Sequence, residues 1–178
     1  MKNILRLLKI GITRGRVTYR YPKDRTPVPE GLRGKPELNF DDCIGCGACV
    51  KACPPNALVM DDHEGTRTIK LFYGQCIMCG TCEEVCPVDA IRVFEEFELA
   101  SLNREDLEEV LQFALAKCKS CGNYFTTNRV LENTLSAYSE LVSGYEEEFK
   151  EMIFLCPDCR RKDWSEELAE VYRGARHE

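Results

Sequence analysis

Eight of the twelve cysteines occur in two runs with the same spacing, and these runs carry the clearest chemistry in the sequence. In each run two gaps of two residues and one gap of three residues separate the cysteines, and a proline follows the last. The runs are Cys43, Cys46, Cys49 and Cys53 before Pro54, and Cys76, Cys79, Cys82 and Cys86 before Pro87. Thiolates are ligands for soft metal centres. This spacing is typical of bacterial [4Fe–4S] sites, so the doubled run predicts two such clusters.

The fourth cysteine of each run is predicted to bind the cluster of the other run, as this motif does in two-cluster ferredoxins. Cluster one is therefore assigned to Cys43, Cys46, Cys49 and Cys86, and cluster two to Cys76, Cys79, Cys82 and Cys53. Zinc or disulfide chemistry for these eight thiols is the disfavoured alternative. Glycines at 45, 47 and 80 are expected to let backbone N–H groups approach the cluster sulfides.

An internal repeat supports the two-cluster interpretation. Residues 43–60 align with residues 76–93 at a constant offset of 33, and 8 of these 18 positions are identical. Each copy ends in an apolar stretch that predicts a short strand. Between the runs the sequence predicts a hairpin with strands over 57–60 and 67–73 and a solvated turn that contains His63. Such a unit has little conventional core, so we expect the clusters to replace one.

The remaining four cysteines form two further pairs. They are Cys118 and Cys121, and Cys156 and Cys159. Two such pairs supply four tetrahedral thiolates, which predicts one zinc ion in a ribbon-like site; a single rubredoxin-type iron is the alternative. Helical periodicity predicts a helix from Asn103 to Cys118 and a second helix over 130–142. The inward side of the first of these would carry Leu107, Val110, Leu111, Ala114 and Leu115.

Charge is distributed unevenly along the 178 residues, which carry a net charge of −6. Residues 1–40 contain ten Lys and Arg against three Asp and Glu, a net charge of +7, so the remaining 138 residues carry −13. This acidic body disfavours a nucleic-acid-binding module. No apolar run approaches the length of a membrane span or resembles a signal peptide. Clustered cysteines without a signal peptide indicate a reducing, cytoplasmic location.

The N-terminal arm, residues 1–40, is not needed to hold iron. Its first twelve residues predict a short apolar and basic helix that needs a partner surface or a membrane interface to lie on. Proline-containing stretches at 17–22, 27–29 and 33–36 predict an extended strap.

With this arm and both cysteine runs, residues 10–95 resemble the two-cluster ferredoxin-type subunit of respiratory complex I. They are similar also to the corresponding subunit of formate hydrogenlyase and of membrane-bound [NiFe] hydrogenases. The strap Arg33-Gly-Lys-Pro36 makes the resemblance more specific, and the four additional cysteines favour the formate hydrogenlyase branch.

The resemblance implies a peripheral subunit on the cytoplasmic face of the membrane. It would relay electrons through two [4Fe–4S] clusters, from an electron-input subunit to the small cluster-bearing subunit, with residues 1–22 near the membrane arm. The alternatives are a complex I-type iron–sulfur subunit of an NADH- or ferredoxin:quinone oxidoreductase and a free soluble ferredoxin. No residue of this chain is assigned a catalytic role, so catalysis belongs to partners.

We therefore predict an α+β chain with a bacterial-type two-cluster ferredoxin fold. Residues 1–40 form the docking arm, residues 41–100 the ferredoxin-like domain, and residues 101–178 a helical domain with the four-cysteine site. Lys51 lies in the first cysteine run, whereas Glu83 and Glu84 lie in the second. This difference in charge predicts the higher potential for cluster one.

Overall fold

The computed structural model describes residues 2–15, 18, 20, 21, 23, 24 and 27–174, and the chain divides into two compact units, Met1–Leu32 and Arg33–Glu178. In the first unit helix α1 spans Lys2–Arg14, which confirms the predicted N-terminal helix. Val17, Tyr19 and Pro22 of the predicted extended strap lie outside the described residues. Within those residues no helix is long and apolar enough to cross a membrane.

Helix α1 presents a row of large apolar side chains to solvent. Ile4, Leu5, Leu7, Leu8 and Ile12 are all exposed. Basic residues such as Arg6 and Lys9 alternate with them along the same helix. The helix is therefore amphipathic. Its apolar face is exposed, although large apolar surfaces are normally buried.

The second unit begins with the end of the predicted strap. Strand β1 (Pro36–Leu38) pairs antiparallel with β4 (Ile91–Val93), so that Glu37 lies opposite Arg92. Just before β1 the backbone at Gly34 passes very close to the backbone of residue 96. A Cβ atom at Gly34 would lie 2.1 Å from the carbonyl oxygen of Glu96. No side chain fits at this approach, which accounts for the glycine.

A four-stranded antiparallel sheet forms the body of this unit, in the order β2–β3–β5–β6. Its strands are β2 (Leu58–His63), β3 (Thr66–Phe72), β5 (Glu108–Lys117) and β6 (Tyr124–Thr127). The predicted hairpin is confirmed as β2 and β3. Its turn is tighter than expected, because Glu64 (φ 49°) and Gly65 (φ 81°) suffice to reverse the chain.

The α-helix predicted from Asn103 to Cys118 is wrong, because Arg104–Leu107 form a short 3₁₀ helix and the residues after it form β5. Leu111 pairs with Ile69 and Phe113 with Arg67 of β3. The apolar residues fit both a helical and a strand period, but the exposed edge of the β2–β3 hairpin supplies a backbone partner that a helix could not use. Consequently Phe113 faces inward, while Val110 of the predicted inward set is exposed.

Over residues 33–174 the second unit also contains two 3₁₀ helices, Tyr73–Gln75 and Arg104–Leu107, and five α-helices. The α-helices are α2 (Ala48–Ala52), α3 (Thr81–Glu84), α4 (Asn128–Tyr138), α5 (Glu146–Ile153) and α6 (Pro157–Gly174). Helix α4 confirms the helix predicted over 130–142, although it begins and ends earlier. Its start is fixed by Thr127, whose side chain accepts a hydrogen bond from the N–H of Val130. Helices α5 and α6 were not predicted.

The core of this unit is more conventional than the repeat suggested. Ile69, Leu71 and Ile91 are almost fully buried, and β5 adds Phe113 to the same cluster. A smaller cluster forms around Ala116, where β5 meets α4 and α5. Packing between the hairpin and β5 therefore stabilises the cysteine loops from one side.

Replacing Phe113 by Ala should lower the free energy of unfolding by roughly 3–5 kcal/mol, because it empties a buried site. Replacing Val110 by Ala is the matched control on the same strand and should cost less than about 1 kcal/mol, because this side chain is half exposed. Anaerobic urea unfolding, followed by far-UV circular dichroism, measures both. A larger loss for Val110→Ala than for Phe113→Ala would contradict the strand.

Candidate metal centres

Two hollows in the second unit are each lined by four cysteines. The first, with a volume of about 330 Å³ that includes space open to solvent, is lined by Cys43, Cys46, Cys49 and Cys86. The second, with a volume of about 370 Å³ that likewise includes space open to solvent, is lined by Cys53, Cys76, Cys79 and Cys82. The structure thus places the last cysteine of each run with the first three of the other run. The remaining lining is largely apolar, including Ile69 at the first hollow and Leu71 at the second.

The two cysteine loops follow the same backbone path, as the repeat requires. At three pairs of positions 33 residues apart both residues have positive φ. These pairs are Gly45 and Met78 (70° and 54°), Gly47 and Gly80 (76° and 82°), and Asn56 and Asp89 (53° and 52°). Glycine, asparagine and aspartate tolerate this left-handed conformation best. The repeat therefore preserves the turns that bring three sulfurs of one loop around one hollow.

Backbone N–H groups of these loops donate hydrogen bonds to cysteine sulfurs. The N–H of Met78 donates to Sγ of Cys76 at 3.3 Å, and the N–H of Ala90 donates to Sγ of Cys86 at 3.2 Å. Such hydrogen bonds stabilise negative charge on sulfur and tune the metal that the sulfur binds. The turn residues therefore serve the electrostatics of the sites as well as their shape.

Burial raises the pKa of several of these thiols. The pKa of Cys49 rises to about 12 and that of Cys82 to about 11, and those of Cys43 and Cys76 are also raised. At Cys79 a hydrogen bond with the Thr81 hydroxyl lowers the pKa instead. Buried thiolates need positive charge nearby. Soft donors around an apolar hollow fit an iron–sulfur cluster, whose iron supplies such charge when it is bound.

Two arginines that were not predicted as site residues hold the cysteine loops. Arg67 on β3 is buried; it donates to both carboxylate oxygens of Asp62 at 2.8 and 2.7 Å and to the carbonyl oxygen of Gly45 at 3.0 Å. This guanidinium lowers the pKa of Asp62. Arg33 donates to the carbonyl oxygen of Cys79 at 3.0 Å. The bond from Arg67 to Gly45 and the bond from Arg33 to Cys79 could not be predicted from the sequence, since each joins residues at least 22 positions apart.

The third set of cysteines is much more compact. The sulfurs of Cys118, Cys121, Cys156 and Cys159 all lie within 4.8 Å of one another. Cys118 follows the last residue of β5, and its sulfur accepts a hydrogen bond from the N–H of Cys156 at 3.2 Å. Hydrogen bonds from backbone N–H groups lower the pKa of Cys118 to about 6. Four sulfurs this close fit one tetrahedral ion.

His63 does not line either of the two cysteine hollows. Its side chain is exposed at the end of β2, where Nδ1 lies 3.9 Å from a carboxylate oxygen of Glu64. This is the solvated turn histidine that the sequence analysis expected. Lys51 and Glu84 are also exposed, whereas Glu83 is half-buried.

The comparison with known proteins places these sites in a family. A family model described as "4Fe-4S dicluster domain" matches residues 42–90. Formate hydrogenlyase subunit 6 of Escherichia coli (strain K12) is 39% identical over 157 residues, which cover 87% of each chain. The chain belongs to the family of formate hydrogenlyase subunit 6. This membership confirms the predicted iron–sulfur electron-transfer subunit of the formate hydrogenlyase and complex I-like type.

Other relatives of this family member match over a shorter part of the chain. The NAD(P)H-quinone oxidoreductase subunit I of Prochlorococcus marinus (strain AS9601) is 43% identical over 98 residues, which cover 51% of this chain and 47% of that protein. A chain in the structure of an archaeal membrane-bound sulfane sulfur reductase, a respiratory membrane complex, is 28% identical. It matches 56% of this chain and 58% of its own length with a TM-score of 0.40.

We expect the iron-loaded protein to lose iron to a chelator faster as the pH falls. Without metal, the thiols of Cys49 and Cys82 hold their protons at neutral pH because their pKa values are about 12 and about 11, so binding metal displaces those protons. Each displaced proton weakens binding about tenfold per pH unit on acidification.

The measurement is anaerobic iron release between about pH 8 and about pH 6, at constant ionic strength, with a chelator whose own iron affinity is constant over that range. A rate that is independent of pH, or that rises with pH, would contradict the role of buried thiols as ligands.

Proposed function

We propose that this chain is a non-catalytic electron-relay subunit, which carries electrons between an input subunit and a small cluster-bearing subunit of a formate hydrogenlyase-type complex. The observation that carries the proposal is the pair of hollows, each lined by cysteines from both repeats. Cys82 of the second set is near enough to raise the pKa of Cys49 in the first, although burial contributes more. Two centres this close suit electron transfer from one to the other.

The lining of the hollows supports the proposed ligands. Cluster one would be held by Cys43, Cys46, Cys49 and Cys86, and cluster two by Cys53, Cys76, Cys79 and Cys82. When bound, such clusters supply one-electron transfer at potentials set by charge, hydrogen bonds and exposure. The chain itself supplies the thiolates, the N–H donors to sulfur, and apolar walls that exclude water from the hollows.

The compact four-cysteine group is proposed to bind one zinc ion. Four thiolates leave no open coordination position, which is typical of a structural zinc site. Its ligands come from the end of β5 and from the start of α6, so a bound ion would fasten the C-terminal helices to the sheet. A single iron of the rubredoxin type is the alternative occupant of the same geometry.

The extent of the match favours the formate hydrogenlyase branch over the complex I branch. The match to formate hydrogenlyase subunit 6 covers 87% of the chain and therefore reaches into residues 101–178. The match to the quinone oxidoreductase subunit covers only 51%. A complex I-type subunit remains the second candidate, because the cluster-bearing part is shared between both branches.

Helix α1 supports assembly into a complex. Its exposed leucines and isoleucines, interspersed with basic residues, suit docking of residues 1–22 on a membrane arm, with the chain peripheral on the cytoplasmic face. A free ferredoxin has no use for such a face. In this proposal residues 1–40 act as the docking arm, 41–100 as the two-cluster domain and 101–178 as the four-cysteine domain, without a nucleic-acid partner.

Anaerobic affinity purification through a C-terminal tag tests this assembly, with metals counted in the product. We expect a nickel-containing hydrogenase subunit to copurify, and the double substitution Leu5→Glu and Leu8→Glu to reduce its recovery severalfold, because charge on the apolar face opposes docking. Leu102→Glu is the matched control, since this exposed leucine lies in the second unit. Quinone-module subunits without nickel would assign the complex I branch. A lone soluble protein would overturn the assembly.

A further inference from the structure

Two side chains at the junction of β6 and α4 reach the first cysteine loop. The Thr127 hydroxyl donates to the carbonyl oxygen of Ile44 at 2.5 Å. Nη1 of Arg129 donates to the carbonyl oxygen of Cys43 at 2.9 Å and also to that of Phe40. Thr127 is fully buried, and its partner lies 83 positions away in the sequence. The C-terminal segment therefore contacts the first cysteine loop through the carbonyl groups of its backbone.

Together with Arg67, these side chains hold three consecutive carbonyl groups. Those of Cys43, Ile44 and Gly45 each accept a hydrogen bond from a side chain. In a trans peptide the N–H points away from the C=O, so holding these carbonyls on one side turns the N–H groups of the loop to the other.

The second cysteine loop has no such cover among the residues that the structure describes. Its equivalent carbonyls, those of residues 76–78, accept no described side-chain hydrogen bond, and Arg33 reaches only the next one, that of Cys79. The two copies of the repeat also differ at one position, in agreement with this asymmetry. A Cβ atom at Gly45 would lie 2.9 Å from Phe113 and 3.0 Å from Thr127, whereas Met78 occupies the equivalent position with positive φ.

Arg129 is also held as a cation beside this loop. Its guanidinium lies 4.4 Å from the ring centroid of Phe40 and 5.6 Å from that of Phe113, and these two rings stack on each other. Contact with the two rings restricts the position of the guanidinium, and therefore the position of its positive charge. By contrast, Lys51 is exposed, so solvent and salt screen its charge.

We propose that Thr127 and Arg129 are positioning residues for the first cluster: they hold its cysteine loop and raise its midpoint potential. This inference rests on the proposed function, since it requires a cluster bound by Cys43, Cys46, Cys49 and Cys86. Reduction adds negative charge to a cluster, so a fixed cation and inward N–H groups favour the reduced state. The C-terminal segment thus controls the potential of a centre whose ligands all precede it in sequence.

Redox titration of the anaerobically purified full chain, followed by EPR, tests the inference with two reciprocal variants. Arg129→Gln is expected to lower the midpoint of one signal and leave the other in place, because it removes a cation from the first loop only. Arg33→Gln removes a cation and its bond to the Cys79 carbonyl at the second loop, and should lower the other signal. Arg104→Gln is the control for losing a surface arginine and should move neither.

The hydroxyl of Thr127 is tested in the same titration. Thr127→Val should shift the signal that responds to Arg129→Gln, whereas Thr127→Ser, which keeps the hydroxyl, should retain the wild-type midpoint. If Arg129→Gln loses iron, Arg129→Lys supplies the measurement. It keeps the charge without the planar fork, and it should lower the same midpoint by a smaller amount.

The outcomes separate this inference from the function on which it rests. A wild-type chain with fewer than two clusters would overturn both. Two clusters in the wild type, with both midpoints unmoved in the Arg129 and Thr127 variants or moved equally, would overturn the positioning role alone. A shift confined to one signal, with rescue by Thr127→Ser, supports it.

Discussion

The exchange of one cysteine between two short loops is the constraint on which the rest of the structure depends. Cys86 lies at the first hollow and Cys53 at the second, so neither loop can form its site alone. Both loops must therefore keep one relative position, to within the reach of a single side chain. The paired positive-φ residues of the repeat produce these loops, and β1, β4 and the β2–β3 hairpin support them. Iron bound across this exchange would add its own binding free energy to the stability of the fold.

Strand β5 connects this unit to the C-terminal segment. It pairs with β3 along seven residues, directs Phe113 toward Gly45 and ends beside Cys118 of the four-cysteine group. One strand thus contacts the first cysteine loop at its middle and the four-cysteine group at its end. The two repeats share their cysteine spacing, but the Phe113 side chain of this strand lies at Gly45 of the first loop. Their metal centres therefore occupy different electrostatic surroundings despite identical cysteine spacing.

Local spacing could be predicted from the sequence, whereas long-range contacts could not. The cysteine runs, the hairpin, α1 and α4 depend on residues within one short window, and the structure contains each element where its pattern indicates. The segment 103–117 failed because its apolar residues satisfy two periods, and the choice between them depends on the open edge of β3. The contacts of Arg67 and Arg129 could not be predicted for a related reason. A single arginine forms no sequence motif, and its carbonyl partners become neighbours only after folding.

Paired removal of cysteines tests the exchange most directly, with iron and sulfide counted in the anaerobically purified protein. We predict that the double variant Cys43→Ala, Cys86→Ala loses about four iron atoms, the same number as either single variant, because both thiols bind one cluster. Cys43→Ala with Cys53→Ala should lose about eight, because these two thiols serve different clusters although they belong to one run. The reverse pattern, with the larger loss in the first pair, would contradict the exchange and assign each cluster to its own run.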